Sequence, residues 1–235
     1  MKKSNKVIFE KFIAKYVGHD WMPLLKDYTS CHLYSKNERI FSEGDKVSGI
    51  YFINSGKVKV VSSFNVESER ILRLSSTADI LGHRALNRKN YSVSAIALAE
   101  TEVTFIPIEL FQKLIRGNPE FSLFIIDFLI RDLSSTEERM KSMIHNDVIV
   151  RIGIIICMLI DAFGYDQQIP NKLHFTLPRS DMASFAGTSY ESVIRNLAKL
   201  EEMKIISLEN KSIIVLKEKN LRKLISVKSR FKKTS

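Results

Sequence analysis

Glu191 and Arg195 stand four residues apart. A helix through them would hold a carboxylate and a guanidinium on one face, a turn apart. That pair suits a G·C base pair in the major groove. Arginine donates two bonds to O6 and N7 of guanine, and glutamate accepts from N4 of cytosine. Tyr190 and Ile194 share the same outward sector. Arg179, Ser189, Ser192 and Lys199 flank it as further candidate contacts to DNA.

The elements that must position these residues are legible around them. Pro178 opens a short helix whose Met182, Phe185 and Ala186 would face inward, and Ala183 is small enough to admit a second helix. Gly187 can take the left-handed conformation that a tight turn needs, and Ser189 can cap the next helix through its free N–H groups. Val193, Leu197 and Leu200 supply that helix's buried stripe. Met203–Leu208 and Ser212–Leu216 read as two strands joined by Glu209-Asn210-Lys211. The whole is a winged helix-turn-helix.

Charge supports an anionic partner. The 235 residues carry a formal +10, and residues 217–235 alone hold 8 basic and 1 acidic side chains. Residues 220–235 read as a basic tail, within which Lys228, Arg230, Lys232 and Lys233 have little apolar company and are expected to be mobile, adding phosphate contacts without choosing sequence. Other chemistries find no support. No pair of carboxylates, nucleophile–base pair or metal spacing stands out, so neither catalysis, metal nor cofactor is expected. Cys31 and Cys157 are too far apart in sequence to suggest a cluster and read as idle thiols. Val148–Ile160 is broken by Arg151 and Gly153, which disfavours a membrane span. Only Val7-Ile8-Phe9 follow the opening lysines before Glu10, too short for a signal peptide core. A cytoplasmic location is the expectation, with no membrane partner.

The rest of the chain has three textures. Val7, Phe9, Phe12, Ile13 and Tyr16 recur at helical spacing in residues 6–16. From Ser30 to Pro107, short β-branched runs alternate with turns, which argues for a rolled antiparallel barrel. Glu38–Phe41, Gly49–Ile53, Lys57–Ser62, Arg70–Leu74, Val93–Leu98 and Val103–Ile106 are the expected strands. After Pro107 the pattern turns helical. Ile126, Leu129, Leu133, Thr136, Met140 and Met143 alternate spacings of three and four, a heptad seam suited to a twin helix. Phe121, Phe124, Ile125 and Phe128 form a second apolar face.

Arg39-Ile40-Phe41-Ser42-Glu43-Gly44-Asp45, followed by Tyr51–Val60, resembles the opening of the β-roll in the Crp/Fnr family of bacterial transcription regulators. Asp79-Ile80-Leu81-Gly82 resembles that family's next turn, with Ala78 where glycine is usual. The resemblance covers roughly residues 30–218. It implies an α+β protein with a jelly-roll-like antiparallel β-roll sensor domain, a long dimerisation helix and a C-terminal winged helix-turn-helix. The expected divisions are 1–118, 119–147, 148–219 and the tail 220–235. It also implies a homodimer on an inverted-repeat duplex, with RNA polymerase as a further partner, and it matches Glu191 and Arg195 to the family's base-reading Glu and Arg.

Cyclic-AMP-binding members hold the ribose and phosphate with a Gly-Glu and an Arg-Ser pair. The matching positions here are Gly82-His83 and Tyr91-Ser92, and Thr136 matches the threonine that meets adenine. Tyrosine offers one neutral donor where arginine offers a charged fork, so cyclic AMP is expected to bind poorly and the effector is left unidentified. Arg84, Arg88 and Lys89 read as a solvated turn, and His83 as a satisfied surface histidine. The expectation is a sequence-specific DNA-binding transcription regulator. The alternative is a ligand-binding module acting mainly through protein–protein contacts.

Overall fold

The computed structural model describes residues 6–65 and 68–230. The chain divides into two compact units, Met1–Leu133 and Ser134–Ser235. The division falls inside one long helix, α4 (Pro119–His145). Among the described residues no helix is long and apolar enough to cross a membrane.

The first unit opens with α1 (Lys6–Tyr16) and α2 (Met22–Tyr28). Eight strands follow: β1 (Ser30–Tyr34), β2 (Arg39–Phe41), β3 (Gly49–Ser55), β4 (Lys57–Asn65), β5 (Ser68–Ser76), β6 (Ile80–Leu81), β7 (Ser94–Ala97) and β8 (Thr101–Pro107). They form two antiparallel sheets, ordered β1-β8-β3-β6 and β2-β7-β4-β5. One core lies between the sheets, around Ile53, Val58, Leu81, Ala95 and Val103. A second lies between the β3 sheet and the helices, where Phe9, Ile13, Phe52, Phe111 and Phe121 pack with α3 (Ile108–Gly117) and the start of α4. β3 is therefore covered on both faces, and its apolar run Ile50–Ile53 reflects that.

Two strands and a helix depart from the sequence reading. β1 is a mostly exposed edge strand, so its polar Ser-Cys-His-Leu-Tyr run lacks the apolar alternation of a half-buried one. β6 is only two residues long, and α2 is a further helix in a segment to which the sequence pattern assigns no element. Ala78 adopts φ 71°, in the left-handed region where glycine sits without cost.

The second unit contains the end of α4, then α5 (Val148–Phe163), α6 (Arg179–Ala186), α7 (Tyr190–Glu202), the hairpin β9 (Ile206–Glu209) and β10 (Ser212–Val215), and α8 (Glu218–Arg230). Val150, Ile152, Ile156 and Leu159 of α5 are its buried axis. Lys172 and Leu173 run beside β10, with the Leu173 N–H donating to Ile213.

The described part of the region read as a basic tail is helical. Residues 218–230 are helical because Leu221 and Ile225, one turn apart, pack over Gly153 of α5. Arg222 reaches across to Asp161 at 2.6 Å, and Tyr165 donates to Glu218 at 2.6 Å. Lys232 and Lys233 lie outside the described residues.

Candidate nucleic-acid interface and effector pocket

α6 and α7 form the helix-turn-helix. Gly187 closes α6 at φ 61° and ψ 49°, and the Thr188 N–H donates back to Ala183 at 3.0 Å. Ser189 then caps α7, its hydroxyl accepting from the Ser192 N–H at 3.2 Å. Val193, Leu197 and Leu200 are fully buried. Packing on that side leaves Ser189, Tyr190, Glu191, Ile194, Arg195 and Lys199 exposed. The wing is fastened to the same helix, with the Leu208 N–H donating to Glu201 Oε1 at 2.7 Å.

Two candidate contacts are placed differently from the sequence reading. Ser192 is buried, because capping by Ser189 turns its side of the first turn inward. Asn196 donates to its carbonyl at 2.8 Å and lies 3.4 Å from its hydroxyl. Arg179 is half-buried at the start of α6, with Nη1 3.7 Å from Met182 Sδ. Burial pulls its guanidinium below the usual arginine value, while Tyr190 pulls it the other way.

On α4 the outward apolar residues form a wider band than the heptad reading. Ile126, Leu129, Leu133 and Met140 are exposed, and Leu123, Ile130 and Ile144 join them. Thr136 is exposed as well. Met143 is half-buried and lines a cleft with Arg151, Phe185 and Ala186 instead, which removes it from the outward seam.

In the first unit Gly82, His83, Tyr91 and Ser92 do converge on one pocket, together with Phe41, Arg73 and Arg84. Thr136 belongs to the other unit. The pocket is nearly filled from within. Tyr91 stacks on Phe41 at 4.3 Å between ring centres. Its hydroxyl donates to the Gly49 carbonyl at 2.7 Å and accepts from the Gly49 N–H at 3.2 Å. Gly82 sits at φ 83° against the same ring, where a Cβ would come within 3.3 Å of Tyr91 and of the Gly49 carbonyl. About 20 Å³ remains free, room for one water molecule.

One charged side chain at this pocket's edge carries no signal in the sequence. Asp132 of α4 accepts from Arg84 Nη2 at 3.0 Å and Arg73 Nη1 at 3.2 Å, and lies 3.4 Å from His83 Nε2. Burial alone would push this carboxyl up. The His83 contact and the two guanidinium groups outweigh it and hold the carboxyl far below the usual carboxylate range. His83 is accordingly buried, not a surface residue. Its Nδ1 faces the Ile80 carbonyl at 3.2 Å and its ring meets Phe128 edge-on at 4.9 Å. Arg84 is likewise an ion-pair partner and not part of a solvated turn. Among the described residues no group of three or more His, Cys, Asp or Glu could hold a metal ion.

Comparison with known proteins places these two sites in one lineage. Residues 31–118 match the family model for a cyclic nucleotide-binding domain, and residues 150–224 match the Crp-like helix-turn-helix domain. The global nitrogen regulator of Nostoc sp. is 27% identical over 187 residues, covering 78% of this chain and 84% of that protein. The cAMP-activated global transcriptional regulator CRP of Salmonella typhimurium is 28% identical over 201 residues, covering 82% of this chain and 94% of that protein. The fold also matches the structure of FixK2 from Bradyrhizobium japonicum with a TM-score of 0.74 at 16% identity, over 83% of this chain and 96% of that one. Two domain models in this order, on a β-roll and a capped helix-turn-helix, make the chain a member of the Crp/Fnr family of DNA-binding transcription regulators, which are not enzymes.

Proposed function

We propose that this regulator works in the cytoplasm as a homodimer on an inverted-repeat site, with Glu191 and Arg195 reading G·C information in each half-site. Residues 1–118 form the sensor domain, 119–147 the dimerisation helix, and 148–219 the DNA-binding domain, which α8 completes. The observation that carries this reading is the division of α7 into a fully buried apolar side and an exposed side with Glu191, Ile194 and Arg195. Such a helix can enter a major groove with its base-reading groups already displayed. Tyr190 and Ser189 stand beside them, and Lys199 extends the face toward a phosphate.

Dimerisation is supported by the exposed band Leu123, Ile126, Ile130, Leu133 and Met140 on one continuous helix. A band of that size on a monomer is an association surface. Two-fold symmetry then sets half-site centres about 10–10.5 base pairs apart, or a multiple of one turn. RNA polymerase is the further partner this reading assigns. Cyclic AMP is not the effector on this reading: Tyr91 fills the pocket, and the Arg73 and Arg84 guanidinium groups that line it are engaged by Asp132.

Selection of bound sites from random duplexes by the purified full-length protein tests the proposal. The expected result is an inverted repeat carrying a G·C pair in each arm. Recovery of unrelated sequences at uniform affinity would favour the protein–protein module.

A further inference from the structure

Arg73, His83 and Arg84 come from different places, β5 and the turn after β6, yet they converge on one carboxylate carried by α4. Asp132 Oδ1 takes Arg73, and Oδ2 takes Arg84 and faces His83. The side chains of Arg73, His83 and Asp132 are no more than 17% exposed. Asp79 also approaches Arg73, at 3.4 Å, from a more exposed position. One turn before Asp132, the Phe128 ring lies 5.2 Å from the Arg73 guanidinium and shields the cluster. Sequestered cations of this kind require an anion, since an unpaired buried charge is among the costliest defects in a folded chain. Both oxygens of the Asp132 carboxylate are used, as those of a bound carboxylate or phosphate would be.

We propose that Asp132 is a built-in anion: it occupies the place that an anionic ligand of Arg73, His83 and Arg84, three of the residues lining the pocket, would take, so the sensor domain is closed by its own carboxylate and answers to no small anion. A free metabolite would have to displace a group tethered to the same chain, whose effective concentration is on the order of millimolar or higher. It would also have to open a pocket with space for one water. This inference rests on the geometry of the first unit alone and stands apart from the reading of the DNA-binding face.

Thermal unfolding of the full-length protein tests it, with sodium formate compared against sodium chloride at equal ionic strength. Asp132→Ala leaves a carboxylate-sized hole beside Arg73, His83 and Arg84, with Asp79 still 3.4 Å from Arg73. The variant should melt on the order of 10 °C lower than wild type. Formate, and not chloride, should then raise its melting temperature saturably, and the double variant Asp132→Ala/Arg84→Gln should show a much smaller rise. If the alanine variant does not fold, Asp132→Asn supplies the comparison: the amide fills the hole, so a lowered melting point without a formate response is expected. Wild type should show no saturable shift with formate, inorganic phosphate or cyclic AMP. A saturable wild-type shift that Arg84→Gln abolishes would mean the arginines are open to ligand and overturn the proposal. So would an alanine or asparagine variant that melts like wild type. None of these readouts involves DNA, so failure here is separable from failure of the recognition-helix reading.

Discussion

Leu133 stands at the centre of the outward band on α4 and is 60% exposed in the single chain. Burying a leucine completely is worth about 1.5–3 kcal/mol, so covering this one at a two-fold interface contributes about 1–2 kcal/mol per copy. Two copies meet across the axis, which makes the loss on substitution about 2–4 kcal/mol before any charge effect. Glutamate is the informative replacement. Glu137 lies one turn further along the same helix, so a lysine at 133 could pair with it, whereas a glutamate adds repulsion within and between helices. At 1.4 kcal/mol per tenfold, Leu133→Glu should weaken dimerisation by on the order of a hundredfold or more. The fold of each chain should survive, because the side chain is already mostly in water. Sedimentation velocity over a concentration series measures the association, and circular dichroism confirms that the variant is folded. A folded variant with wild-type dimer affinity would refute the assignment of this face.

Ala78 holds a left-handed conformation that costs an L residue about 1–2 kcal/mol, so Ala78→Gly should raise the melting temperature by about 1–3 °C after the entropy of glycine is subtracted. A lower melting point would show that the strain is absorbed elsewhere. Arg195→Ala should cost about 1–3 kcal/mol on the selected site and relax one position, with little change on random duplex. Equal losses on every duplex would reduce Arg195 to a phosphate contact. Of the two thiols, Cys31 is exposed, whereas burial pushes Cys157 up to about 11. Ellman's reagent should therefore titrate one thiol in the native protein at pH 8 and two in denaturant; two fast thiols in the native state would contradict the packing of α5.

The helix-turn-helix was readable because its instructions are local. Gly187 supplies the backbone conformation of the turn, Ser189 the cap, and Val193, Leu197 and Leu200 the period of one face. The strands of the β-roll were readable where burial imposes a pattern, as in β3, and unreadable in β1, whose side chains mostly face solvent. α8 had a signal, Leu221 and Ile225 one turn apart, that the surrounding lysines and arginines masked. Ser192 was misplaced because outward and inward sectors of α7 differ by one residue in the first turn, and the cap decides which is which. Asp132 could not have been found from spacing. Its cationic partners lie 48 to 59 residues away in sequence, and only the fold brings them together.

Tyr91 has a consequence for anyone wishing to build a biosensor on this scaffold. Its ring fills the pocket, while its hydroxyl occupies a backbone donor and a backbone acceptor of the same residue, Gly49. Trimming the side chain would therefore vacate a ring-sized slot that ends in a paired N–H and C=O, floored by the flat face of Phe41. A small phenol matches that vacancy group for group, stacking on one wall while its hydroxyl both donates and accepts. The scaffold thus holds a ready template for an artificial aromatic ligand, one whose shape is that of the side chain removed to admit it.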